Sequence, residues 1–159
     1  MRIEFTVPGV PMGKPRMTQR DKWKKRPCVM RYRAWADKVR AIAGKMPKPN
    51  IVASLDWIAY FEPPKSWSAE KRAAAMGELH RSKPDRDNID KALLDALFVN
   101  DSAIALGTVE KRWGFPTRLE VAIQTTEDFN RGGRKPAAKQ KPLGAVSNDE
   151  ARALLKKLS

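Results

Sequence analysis

Cysteine and histidine are almost missing from this chain: Cys28 and His80 are the sole examples among 159 residues. One thiol excludes an intrachain disulfide and suits a reducing cytosol, so a cytoplasmic location is expected. Lys and Arg around Cys28 favour its thiolate, but the single imidazole lies far along the chain, which argues against a cysteine–histidine catalytic pair. No run of eighteen apolar residues occurs, so no membrane span is expected. The N-terminal MRIEFTVPG alternates as a strand does and lacks the form of a signal peptide.

Positive charge is what the chain has in excess. Thirty-two Lys and Arg stand against eighteen Asp and Glu, a net charge of +14 with a pI near 10.2, which points to a polyanionic partner, nucleic acid first. The charge is segregated: +11 over residues 1–50, −1 over 51–126 and +4 over 127–159. A protein that only coats DNA gains nothing from an acid-rich middle. A nuclease needs both cations for phosphates and carboxylates for metal.

Periodicity outlines one domain over residues 1–126. Strands are expected over 2–7, 51–61, 103–113 and 118–125, the last pair as a hairpin. Helices are expected over 31–46, over 69–77 with Ser68 as cap, and most clearly over 87–98, where Ile89, Ala92, Leu93, Ala96 and Leu97 form one stripe. Residues 9–30 read as a long basic loop. Residues 127–147 are rich in Gly, Pro and Lys and read as a linker or disordered tail, followed by a short helix over 148–158. Trp35, Trp57, Trp113 and Phe98 suit core positions, whereas Trp23, inside the basic loop, suits stacking on an unpaired base.

The segment KPDRDNIDK holds the chemistry. Asp85 and Asp87 flank the start of the helix, and Asp101 follows it. Three carboxylates suit Mg²⁺, which takes oxygen ligands and keeps several waters; such an ion readies a hydroxide and stabilises a departing 3′ oxygen. Lys91, one turn beyond Asp87, has an ammonium suited to a phosphorane-like transition state. Blander roles are open for the same residues. Asp85 or Asp87 suits an N-cap, Asp87, Lys91 and Asp95 suit a solvated ion-paired face, and Asp101 suits a turn.

KPDRDNIDKALLDAL followed by NDSAI resembles the RusA family of Holliday junction resolvases, common in phages and prophages, whose pattern is roughly (K/R)-P-D-x-D-N-x-x-K-x-x-x-D-A-L and then (D/N)-D-x-x-I/V. VPGVPMGKPRMTQR resembles the family's opening strand and basic loop. The likeness covers about residues 1–125; Asn100 stands where many members have a first acid.

The resemblance implies a small α/β fold, a mixed sheet of about four strands against two or three helices. It implies a homodimer that cuts opposed strands of a four-way DNA junction with Mg²⁺, Mn²⁺ being a substitute. It makes Asp85, Asp87 and Asp101 the metal-binding catalytic acids and Lys91 the catalytic lysine. The expected DNA contacts are Lys14, Arg16, Arg20, Lys22, Lys24, Lys25 and Arg26 in the loop, with Arg81, Lys83 and Arg86 beside the acids. A non-catalytic basic DNA binder and a metal nuclease for other branched DNA are the alternatives.

Overall fold

The computed structural model describes residues 2–127; the expectations for the linker and the helix over 148–158 fall outside them. Strand β1 spans Arg2–Pro8, helix α1 Pro27–Ala43, β2 Val52–Phe61, α2 Ala69–Ala75, α3 Arg86–Leu97, β3 Val109–Trp113 and β4 Arg118–Thr125. The four strands form one mixed sheet in the order β1-β4-β2-β3, with β4 antiparallel to both neighbours and β2 parallel to β3. The expected small α/β fold is therefore present.

Alternation builds the core. Val7, Leu55, Trp57, Ala59, Leu119, Val121 and Ile123 are buried on one face of the sheet. They meet Tyr32, Trp35, Ala36 and Val39 of α1 and Ile89, Ala92, Leu93 and Ala96 of α3. The even-numbered positions of β2 from Asp56 onward, and those of β4, are only half-buried. On that second face Arg118 pairs with Glu120 and lies over the Tyr60 ring at 3.8 Å.

Two expectations are corrected. Residues 103–113 and 118–125 do not form a hairpin: β3 lies beside β2, and β4 on the other side of β2. Residues 114–117 must therefore cross the width of β2, and Phe115-Pro116 is not the Gly- or Asn-rich pair that a tight hairpin turn requires. Strand β3 is also shorter than expected, although Leu55 and Trp57 still donate backbone hydrogen bonds to Leu106 and Thr108. A Cβ on Gly107 would lie 2.2 Å from the Leu55 carbonyl oxygen, so the chain passes β2 there only as glycine.

The second correction concerns α1, which starts at Pro27 rather than residue 31. Proline suits the first helical turn, where its missing N–H would have no partner. The helix ends at Gly44, whose φ of 67° favours glycine. No helix among the described residues is long and apolar enough to cross a membrane.

Candidate active site

Helix α3 sets the geometry. Asp85 is its N-cap residue with extended backbone (φ −66°, ψ 146°), yet its side chain makes no capping bond. Asp87 lies in the first turn. Both are exposed, and neither carboxylate has a hydrogen-bond or ion-pair partner among the described residues. Two free anions at the positive end of a helix are held without being consumed.

The remaining acids of α3 are occupied. Asp90 accepts a hydrogen bond from the Trp57 indole at 2.8 Å, and Asp95 is paired with Lys14 at 2.5 Å. Lys91 is exposed and makes no ion pair among the described residues, so Asp87, Lys91 and Asp95 do not form an ion-paired ladder.

Flanking segments fix this end of the helix. The Lys14 N–H donates to the Asn88 carbonyl at 3.0 Å. A Cβ on Gly13 would lie 3.2 Å from Asn88 Cβ and 3.4 Å from Pro84 Cβ, so the basic loop is packed directly against the start of α3. On the other side, the Lys111 ammonium donates to the carbonyls of Ser82 and Pro84 at 2.6 and 2.7 Å.

Asp101 stands at the opposite end. It follows Phe98, the C-cap residue, and its carbonyl accepts from Ile104 in a turn. Twelve helical residues rise about 18 Å. One protomer thus places Asp85 and Asp87 at one end of α3 and Asp101 beyond the other. Among the described residues no group of three His, Cys, Asp or Glu side chains is arranged to hold a metal.

A protein-family model described as endodeoxyribonuclease RusA matches residues 8–124. The chain belongs to the RusA endodeoxyribonuclease family. Membership implies endonuclease action on Holliday junctions. No curated protein matches the chain. The span matched to RusA covers the basic loop, Asp85, Asp87, Lys91 and Asp101.

The basic residues of this RusA-family chain divide into two groups. Arg16, Arg20, Lys22, Lys24 and Lys25 are exposed, as are Arg81, Lys83 and Arg86 near the acids. Lys14 and Arg26 are committed internally. Arg26 donates through Nε to Asp21 at 2.5 Å, and through Nη2 to Asp21 at 2.6 Å and to the Arg16 carbonyl at 2.8 Å. Asp21 is 3% exposed and also accepts from the Thr18 N–H at 2.6 Å. The Arg26 guanidinium first, then the Thr18 N–H, hold the Asp21 carboxyl well below the usual carboxylate range, against burial, which raises it.

Sequence reasoning passed over Asp21 and Lys111. Asp21 had a signal: an acid three residues after Thr18, which can reach back to the Thr18 N–H as a capping residue does. Lys111 had none, because its two acceptors are backbone carbonyls 27 and 29 residues away.

Proposed function

We propose that this RusA-family chain is a Mg²⁺-dependent homodimeric resolvase that cuts two opposed strands of a four-way junction. The observation that carries this reading is the pair of unengaged carboxylates, Asp85 and Asp87, fixed between the basic loop and Lys111. Aspartates that served only as caps or surface ion pairs would show those bonds, and these two do not.

The donor set fits the metal in part. Mg²⁺ is commonly held by one or two carboxylates together with water and substrate phosphate, which Asp85 and Asp87 can provide. Asp101 cannot join them from the same protomer across the length of α3. The ion, when bound, supplies positive charge that acidifies water and stabilises the leaving 3′ oxygen, a role Mn²⁺ can share. Asp85 and Asp87 orient that charge, and Lys91 offers its ammonium to the phosphate. Arg16, Arg20, Lys22, Lys24, Lys25, Arg81, Lys83 and Arg86 take the flanking phosphates.

A second copy of the chain supplies what one copy lacks. The segment over residues 104–108 continues the edge of β3, and the backbones of Ala105 and Gly107 have no hydrogen-bond partner among the described residues. Leu106 is 54% exposed and Val99 wholly so. Antiparallel pairing of two such edges about Leu106 would carry the partner subunit's Asp101 towards the segment that ends in Asp85. The two-fold symmetry of such a dimer suits the two-fold symmetry of a junction.

The test is a labelled four-way junction with and without Mg²⁺. Paired symmetric nicks that EDTA abolishes are expected, with Asp85→Asn binding the junction but losing about 100-fold or more in cleavage rate, the equivalent of several kcal/mol of metal-derived stabilisation. Cutting by Asp85→Asn at the normal rate would remove the carboxylate pair from the mechanism. Binding without cutting by the unaltered protein would leave a basic DNA binder. Faster cutting of forks or flaps would move the substrate to other branched DNA.

A further inference from the structure

Strand β3 presents Val109, Lys111 and Trp113 on one face, and Val109 and Trp113 both pack against the hydrophobic core. A lysine between them is costly unless its ammonium finds partners. The partners it has are the neutral carbonyls of Ser82 and Pro84. Among the described residues no carboxylate lies within ion-pair distance of it. A charge carried on the core side of a strand and left without a counter-charge is not explained by stability alone.

Its place in the chain supplies the explanation. Pro84 immediately precedes Asp85, and the segment leading to it is already laced to β3. Gly77 donates to the Trp113 carbonyl, Trp113 to that of Glu78, and His80 to that of Lys111, each at 2.9 Å. Past His80 that lacing stops, and the two bonds from Lys111 are the remaining ties before the acid pair. Asp85 makes no side-chain bond that would aim it. Its direction therefore depends on the backbone that Lys111 grips.

We propose that Lys111 is a positioning residue for the nuclease reaction. By clamping the carbonyls of Ser82 and Pro84 it fixes the backbone that aims Asp85. The inference rests on the reading of Asp85 and Asp87 as the metal-holding acids. A lysine ammonium has three N–H donors, so one group can hold both carbonyls at once.

The experiment compares the full-length unaltered protein with Lys111→Met, Lys111→Arg and Asp85→Asn. Four quantities are measured: Mn²⁺ binding by calorimetry without DNA, single-turnover junction cleavage, junction affinity in EDTA, and melting temperature. Lys111→Met is expected to weaken Mn²⁺ binding and slow cleavage, each by about 10- to 100-fold, as loss of a group that orients a metal ligand does. Junction affinity in EDTA should be unchanged, and Lys111→Arg should recover most of both losses.

Normal Mn²⁺ binding and cleavage by Lys111→Met, beside an inactive Asp85→Asn, would overturn the role of Lys111 and leave the metal reading intact. A Lys111→Met protein that loses junction affinity and melting temperature along with cleavage, with Lys111→Arg no better, would also overturn it by reducing Lys111 to a structural tie. Cleavage by Asp85→Asn would instead defeat the reading on which the inference rests.

Discussion

The two ends of α3 are built for different work. At the N-terminal end, Asp85 and Asp87 are exposed and unpaired, and the backbone around them is held by Lys14 on one side and Lys111 on the other. At the C-terminal end, Ala96 and Phe98 are buried, and Arg40 donates to the Ala96 carbonyl at 2.9 Å, a cation where the helix dipole favours one. Beyond it Asn100 closes a turn on Ser102, and Asp101 stands half-buried. One end presents carboxylates; the other is anchored by packing and carries a single acid past the anchor. A helix with acids at both ends keeps them apart, and under the proposed function a three-acid site would draw on two subunits.

That difference can be broken by complementation, which carries the largest expected effect. Asp85→Asn and Asp101→Asn homodimers should each be inactive. If each site takes Asp85 from one subunit and Asp101 from the other, a heterodimer of the two variants has one doubly damaged site and one intact site. Statistical mixing gives heterodimers in half the population, so about a quarter of the normal number of sites should reappear. If the three acids met within one subunit, every site in the mixture would lack one of them and no nicking would return. Mixing after co-refolding, read as single nicks on a labelled junction, decides the matter.

The N-terminal end of α3 was legible in the sequence because its signals are local. Asp85-x-Asp87 sits at a helix start that the apolar stripe from Ile89 marks within a residue or two, and β1, β2 and β4 were equally readable from alternation. What stayed hidden was set by distant pairing. Strand β3 lies beside β2 because the chain passes through α2 and α3 between them, a topology no local turn signal encodes. The separation of Asp101 from the pair follows from helix rise, but whether the sheet folds it back was visible only in the fold. Arg26 looked like any other loop cation until its acid partner, Asp21, proved buried.

The loop beside the acid pair offers a sharper contrast of smaller size. Trp23 is 84% exposed on a loop that Asp21, Arg26 and Thr18 hold in shape. Trp23→Ala should weaken junction binding by about tenfold if the ring stacks on an unpaired base, with no change in melting temperature or in tryptic cutting of the loop. Asp21→Asn should act by the opposite route, freeing Arg26, speeding trypsin cleavage between residues 20 and 25, and weakening binding only as the loop loses order. Because the Asp21 pKa is depressed in the fold, its contribution is complete above the ordinary carboxylate value near 3.9 and is lost as pH falls through the folded value. Binding measured between pH 5 and 8 should therefore show no titration from Asp21. Equal trypsin sensitivity of Asp21→Asn and the unaltered protein would show that the carboxylate does not order the loop.

The smallest effect tests the segment that delivers Asp85 from the other side. His80 is 5% exposed, stacked on Phe61 and edge-on to Trp113, each at 4.3 Å between ring centres, and its Nδ1 has no partner among the described residues. Burial, and then the Lys111 charge, push its pKa below the ordinary 6.5. The unfolded chain therefore takes up a proton near pH 6.5 that the folded chain refuses. Stability is insensitive to this group above that pH and declines as pH falls below it, until the folded value is passed. His80→Phe keeps a flat ring in the stack and removes the titration. The unaltered protein should lose a few degrees more of melting temperature than His80→Phe between pH 7.5 and 5.5. Parallel melting curves for the two proteins across that range would mean that the imidazole is already relieved of its burial, and that the segment before Asp85 opens more readily than its three backbone ties to β3 imply.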